Sequence, residues 1–167
     1  MGFMDKLRSM AAVVTGGGAT VQVEAIDPKQ DEPFTVNVQA EIAGSDVKVE
    51  KVYLKLMGVE TVTLEVEMPV VEETAAESEE AEPEAEKPTS VMKEISRSEQ
   101  TYHQEFEVAG EQTLSADQTY TWDIEIQLPD DAKPRYQGVH ANHDWKILAG
   151  LSAFGNDPDS GWQILEF

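Results

Sequence analysis

Alternation with a period of two dominates this chain. Between Thr119 and Leu128, Tyr120, Trp122, Ile124, Ile126 and Leu128 fall on one face, with Thr121, Asp123, Glu125 and Gln127 on the other. Between Val139 and Leu151, Val139, Ala141, His143, Trp145, Ile147, Ala149 and Leu151 share a face opposite His140, Asn142, Asp144 and Lys146. Successive strand side chains point to opposite sides, so this pattern predicts two strands buried on one face each. Trp122 and Trp145 are the expected core anchors, being large enough to fill the space between stacked sheets. The proline-bearing connection from 129 to 138 is predicted to be neither strand nor helix.

The same reading extends along the chain. Val21 and Val23 open a first strand that ends in a turn at Asp27-Pro28. Phe34, Val36, Val38, Ala40 and Ile42 alternate with Thr35, Asn37, Gln39 and Glu41, and Gly44-Ser45-Asp46 closes that strand. Val52, Leu54 and Leu56 oppose Lys51, Tyr53 and Lys55; after Gly58 the alternation resumes at Val62, Leu64, Val66 and Met68. One long bent strand and a tight hairpin both fit this stretch. Tyr102, Gln104, Phe106 and Val108 alternate with His103, Glu105 and Glu107. Gly110 to Asp117 and Gly155 to Gly161 are predicted turns, and Trp162 to Phe167 a last strand. About eight strands without a long helix predict an all-β antiparallel sandwich, immunoglobulin-like in class.

Two segments break the pattern. Phe3, Leu7, Met10 and Val14 recur at spacings of three and four, which predicts a short amphipathic helix ended by the Gly16–Gly18 joint. A helix this short is marginal alone and must pack on something: its own domain, a second copy or a partner. Residues 70–90 are acidic, of low complexity and interrupted by proline, so they are expected to be a disordered loop joining paired strands. The domain reading is therefore a helix and joint over 1–18 followed by a single sandwich domain over 19–167.

Charge narrows the partners. The formal net charge is −21, and residues 72–86 alone hold eight glutamates and no basic residue. Nucleic acid and anionic membranes would repel such a chain; the excess negative charge reads first as a device for solubility, as in a salt-rich cytoplasm, and second as an attraction for a basic partner. No apolar run approaches the roughly 20 residues of a membrane span. The N-terminus reads poorly as a secretory signal, and Lys6 stands where a myristoylation pattern wants Ser or Thr. The absence of cysteine excludes disulfides and thiolate chemistry and fits a reducing cytoplasm.

Chemical candidates are few. His140 and His143 are three apart, so on a strand they face opposite sides and do not share a metal; His143 is expected to be a hydrogen-bonded, partly buried histidine. Asn156, Asp157 and Asp159 lack the later bidentate glutamate of a calcium loop and read as turn formers. Asp123 with Glu125 is explained by exposed alternation, and Gly16–Gly18 lacks the Lys-Ser/Thr of a phosphate loop. No nucleophile motif is present. The expectation is a chain with no catalytic residue, no cofactor and no metal.

The order KVYLKLMGVET (51–61), a variable hairpin, TYTWDIEIQLP (119–129) and GVHANHDWKILAGL (138–151) resembles the arrestin-like sandwich. The start, MGFMDKLRSMAAVV, followed by glycine and a strand, is similar to the bacterial sporulation-control protein family, whose members carry arrestin-like domains. The acidic insert departs from that pattern, and the length suits one arrestin-like domain where many relatives have two. The resemblance implies a regulatory adaptor that acts by protein–protein contact, with a partner of unknown identity or a second copy. The alternative is an immunoglobulin-like module binding a small ligand or carbohydrate through exposed aromatics, for which Tyr53, Tyr136 and Trp162 are the candidates.

Overall fold

In a computed structural model of the protein, residues 18–69, 90–155 and 157–167 are described, and their regular elements are all strands. In chain order these are β1 (Ala19–Ile26), β2 (Phe34–Ile42), β3 (Val47–Pro69), β4 (Ser90–Ala109), β5 (Gln112–Leu114), β6 (Thr119–Ile126), β7 (Tyr136–Gln137), β8 (Ala141–Ala153) and β9 (Gln163–Ile164). The expected helix carrying Phe3, Leu7, Met10 and Val14 lies outside the described residues, as does the acidic loop from 70 to 89.

The strands form two antiparallel sheets. The smaller has the order β1-β2-β6, with β2 central. Its hairpin turns at Asp27, whose φ of 43° is a conformation Asp tolerates better than most residues. The larger has the order β4-β3-β8-β7, with β5 in line with β4 on the same edge of β3 and β9 on the far edge of β8. Inward residues of both sheets belong to one apolar cluster. Val21, Val23, Val36, Val38 and Ile42 of the smaller sheet join Val52, Leu54, Leu56, Trp145, Ile147 and Leu151 of the larger. The two halves of the alternating pattern around the proline-bearing connection thus sit in different sheets, Trp145 fully buried and Trp122 half-buried against the same cluster.

β3 organises the larger sheet. It runs as one long strand through the stretch that sequence left open between a bent strand and a hairpin. Two extra residues of β4, Val108 and Thr101, bulge out opposite it where the register shifts. At the second bulge the absence of a side chain on Gly58 is decisive. A Cβ there would come within 2.7 Å of the Thr101 hydroxyl, which tucks across to reach His143.

Several expectations need correction. The stretch from Gly110 to Asp117 is more than a turn: it holds β5, and Leu114 is wholly buried because it pairs with Val47 at the end of the core. The 129–138 connection contributes β7, which seals part of the β8 edge. The last strand shrinks to Gln163–Ile164, because residues 157–160 already hold β8 by bonds such as Ser160 N–H to the Ala149 carbonyl. Val139 precedes β8 and is exposed, since the chain is still turning at Gly138 to Ala141. Ser90, read as loop, begins β4. Tyr53, expected on an exposed face, is buried because its ring lies over Gly150 on β8.

Candidate functional site

The pairing of β8 with β3 stops at Val62 and Ala141, yet β3 and β4 stay paired as far as Pro69 and Ser90. A two-stranded ribbon therefore extends beyond the rest of the larger sheet. By register its rows are Val62 with Arg97, Leu64 with Ile95, Val66 with Lys93 and Met68 with Val91. This is the face of β3 that buries Val52, Leu54 and Leu56 lower down, continued past the end of the smaller sheet. Among the described residues nothing covers it: the six apolar side chains of these rows are between 37% and 52% exposed.

The opposite face is polar. The Thr61 and Ser98 hydroxyls lie 2.8 Å apart, those of Thr63 and Ser96 3.1 Å apart, and the Ser90 hydroxyl donates to Glu67. Glu65 and Glu94 lie on that face too, as does the exposed Met92, opposite Glu67. Cross-strand hydroxyl pairs supply local pairing energy on the order of 0.2–1 kcal/mol each. A bare two-stranded ribbon is marginal in water, so its attachment to the sheet below must hold it.

That root is a cluster of polar and aromatic groups. Glu60 accepts hydrogen bonds from the Tyr136 hydroxyl at 2.6 Å and the Lys133 ammonium at 3.2 Å, and these partners, Tyr136 foremost, hold its carboxyl below the ordinary range. The same bond pushes the Tyr136 phenol up. Trp145 donates its indole N–H to the Lys133 carbonyl at 2.9 Å, and Arg135 Nε pairs with Asp144 at 3.2 Å. The connection from 129 to 138 is thereby tied over the end of the core. His143 is fully buried, with Nε2 2.8 Å from the Thr101 hydroxyl and its ring edge-on to Trp145 at 5.6 Å. Its Nδ1 makes no hydrogen bond of good geometry. Burial holds the imidazole below its ordinary value, only partly offset by the Pro134 backbone and Glu60. Beside this cluster an open hollow of about 330 Å³ is lined by Glu60, Val62, Arg97, Ser98 and Glu99, where the ribbon leaves the sheet.

The structure separates the other residues that sequence singled out. His140 is exposed ahead of β8, remote in role from the buried His143. Among the described residues no group of three or more His, Cys, Asp or Glu could hold a metal. Asp157 accepts from the Ala153 N–H at 2.9 Å and Asp159 from the Gly161 N–H at 2.8 Å, as turn formers do. Asp123 accepts from Asn37 across the strand pair at 2.8 Å. Of the candidate aromatics Tyr53 is buried, Tyr136 belongs to the root cluster and Trp162 stands apart near the C-terminus. The exposed ribbon face was missed as a surface. Its signal was present on β3, where alternation ran on to Met68, but strand periodicity does not say what lies above the strand.

No family model matches the sequence, and no curated protein matches it. Among solved structures, the fold is similar to the crystal structure of Spo0M, the sporulation control protein of Bacillus subtilis, with a TM-score of 0.56. The likeness is one of fold. Identity is 14% over 89% of this chain and 49% of the Spo0M chain, so the chain spans about half the length of that neighbour. No helix among the described residues is long and apolar enough to cross a membrane.

Proposed function

We propose that this protein is a non-enzymatic regulatory adaptor of the cytoplasm, an arrestin-like β-sandwich that works by protein–protein contact; its likeness in fold to a sporulation control protein supports the regulatory part of this reading. The observation that carries the reading is the outer edge of β4. Its 20 residues pair on one side with β3, and among the described strands it offers the longest open edge. The far edge of β8, by contrast, is covered by β7, β9 and residues 157–160. An open edge presents a row of backbone donors and acceptors to which a partner strand adds. Lys93, Glu94, Arg97 and Glu99 and the two bulges along β4 guard it against indiscriminate pairing. The strongly acidic balance of the chain favours a partner segment that is basic.

The test is a photo-crosslinking residue placed at Ser98, an exposed position of β4, in the native cell. A discrete adduct with a second protein is expected, and reconstitution of that pair should weaken as salt rises. If cells yield free chain and self-adducts alone, the adaptor reading fails.

A further inference from the structure

The apolar face of the ribbon points to an occupant that the β4 edge does not. We infer that this face is covered by the same face of a second copy of the chain, in an end-to-end two-fold pair. The inference goes beyond the adaptor reading and stands or falls separately from it.

The argument begins with shape. The smaller sheet packs on the inward face of the larger one, and from Val62 onward the side chains on that face of β3 are exposed, so among the described residues the ribbon is a single layer. The overhang from Thr63 to Pro69 is about 23 Å long at roughly 3.3 Å per residue, and the missing layer would stand about 10 Å above it. A second copy turned end over end supplies a layer of just that length and height. Each ribbon then takes the place of the smaller sheet above the other, and the two-layer packing continues across both molecules. The reverse arrangement, with both ribbons pointing the same way, would drive the two smaller sheets into each other.

The two-fold that lets the two overhangs cover each other lies at the Val66–Lys93 row, midway between Thr63 and Pro69, and sets Leu64 and Ile95 against Met68 and Val91 of the second copy. The N-terminal segment of the same chain is a poorer occupant. It leaves the fold at Gly18, beside Val47 at the far end of β3, about 50 Å from Val62 at the strand rise. A helix of residues 3–14 spans only about 18 Å.

The area sets the strength. The six apolar side chains expose on the order of 450 Å² per copy, near the upper range of what monomers leave uncovered. Burying this on both copies, with the Lys93 and Arg97 stems, gives roughly 1,000 Å² or slightly more, which suits a weak, concentration-dependent dimer. Both copies carry −21, so added salt should tighten the pair by screening their mutual repulsion, the opposite of its effect on a basic partner.

Sedimentation equilibrium on the full chain over a wide concentration range, at low and high salt, tests this. The expected result is a monomer–dimer equilibrium that tightens with salt and is weakened at least tenfold in Leu64→Glu. Ile95→Glu should behave alike, with both variants keeping the wild-type circular dichroism. The chain has no cysteine, so single variants give a second readout. A thiol-to-thiol crosslinker about 10 Å long, the spacing of stacked sheets, should join two copies of Val66→Cys, and should not join copies of Glu65→Cys, on the opposite face. A monomer at every concentration overturns the inference, as does a dimer indifferent to Leu64→Glu. Exclusive photo-crosslinking of position 64 to a different protein would also overturn it and assign the face to that partner.

Discussion

Gly150→Ala should destabilise this protein, although replacing a strand glycine by alanine usually helps. The usual gain, about 0.4–1 kcal/mol, comes from restricting the unfolded chain. At Gly150 a different effect wins. The residue pairs with Tyr53 across β3 and β8, and the tyrosine ring lies over the glycine backbone. A Cβ added at 150 would sit 2.5 Å from the ring carbon Cζ, well inside contact distance, and closer still to the hydroxyl. The ring has little freedom to yield. Lys55 stands 4.9 Å from its centroid, residues 157–160 run along the neighbouring edge of β8, and the ring is buried. Overpacking of this kind costs about 1–3 kcal/mol, so the net loss is roughly 1–2 kcal/mol after the entropic gain is subtracted. For a chain of this size each kcal/mol moves the melting temperature by about 2–4 °C, which predicts a fall of about 2–8 °C. Thermal unfolding followed by circular dichroism measures it. In a double-mutant cycle Tyr53→Val should remove most of the penalty, with a coupling of about 1 kcal/mol or more. A Gly150→Ala protein that melts at or above the wild-type temperature would refute the reasoning.

Three further outcomes are expected. Leu114→Ala should cost about 2–5 kcal/mol in urea unfolding, as for a wholly buried leucine, where an ordinary turn residue would cost almost nothing. Because burial lowers the His143 pKa, the folded state resists its protonation. Stability should be full above pH 7 and decline as pH falls through the ordinary histidine value of 6.5 towards the lowered folded one; a melting temperature unchanged from pH 7.5 to 5.5 would contradict this. Glu60 faces the same cluster, but its partners hold its carboxyl below the ordinary range, away from that window, and His143→Gln should flatten the slope. Deleting residues 72–86 and joining the ends with a short glycine-containing turn should shift the melting temperature by no more than about 2 °C, since surface loops tolerate shortening; a large fall would show that the segment packs.

The strands were legible in the sequence because strand chemistry is local. Val21 to Val23, Phe34 to Ile42 and Tyr120 to Ile126 each carry their buried face as a period of two, the pattern of a half-buried strand. His143 to Leu151, expected to be buried on one face, is buried on both, Asp144 and Leu148 included. The pairing across the acidic insert was legible for a different reason, since residues 61–68 and 91–108 flank a segment that has almost nothing to bury. Leu114 and Tyr53 were not. One is a single apolar residue in a polar run, and the other has charged neighbours on its own face. Each is buried only because a distant strand, β3 for Leu114 and β8 for Tyr53, passes beside it. The ribbon shows the division most plainly. Sequence alone determined that Val62, Leu64, Val66 and Met68 share a face. Only the tertiary structure decided that this face lies beyond the reach of the smaller sheet, because the length of one sheet relative to another is a long-range relation that no local periodicity records.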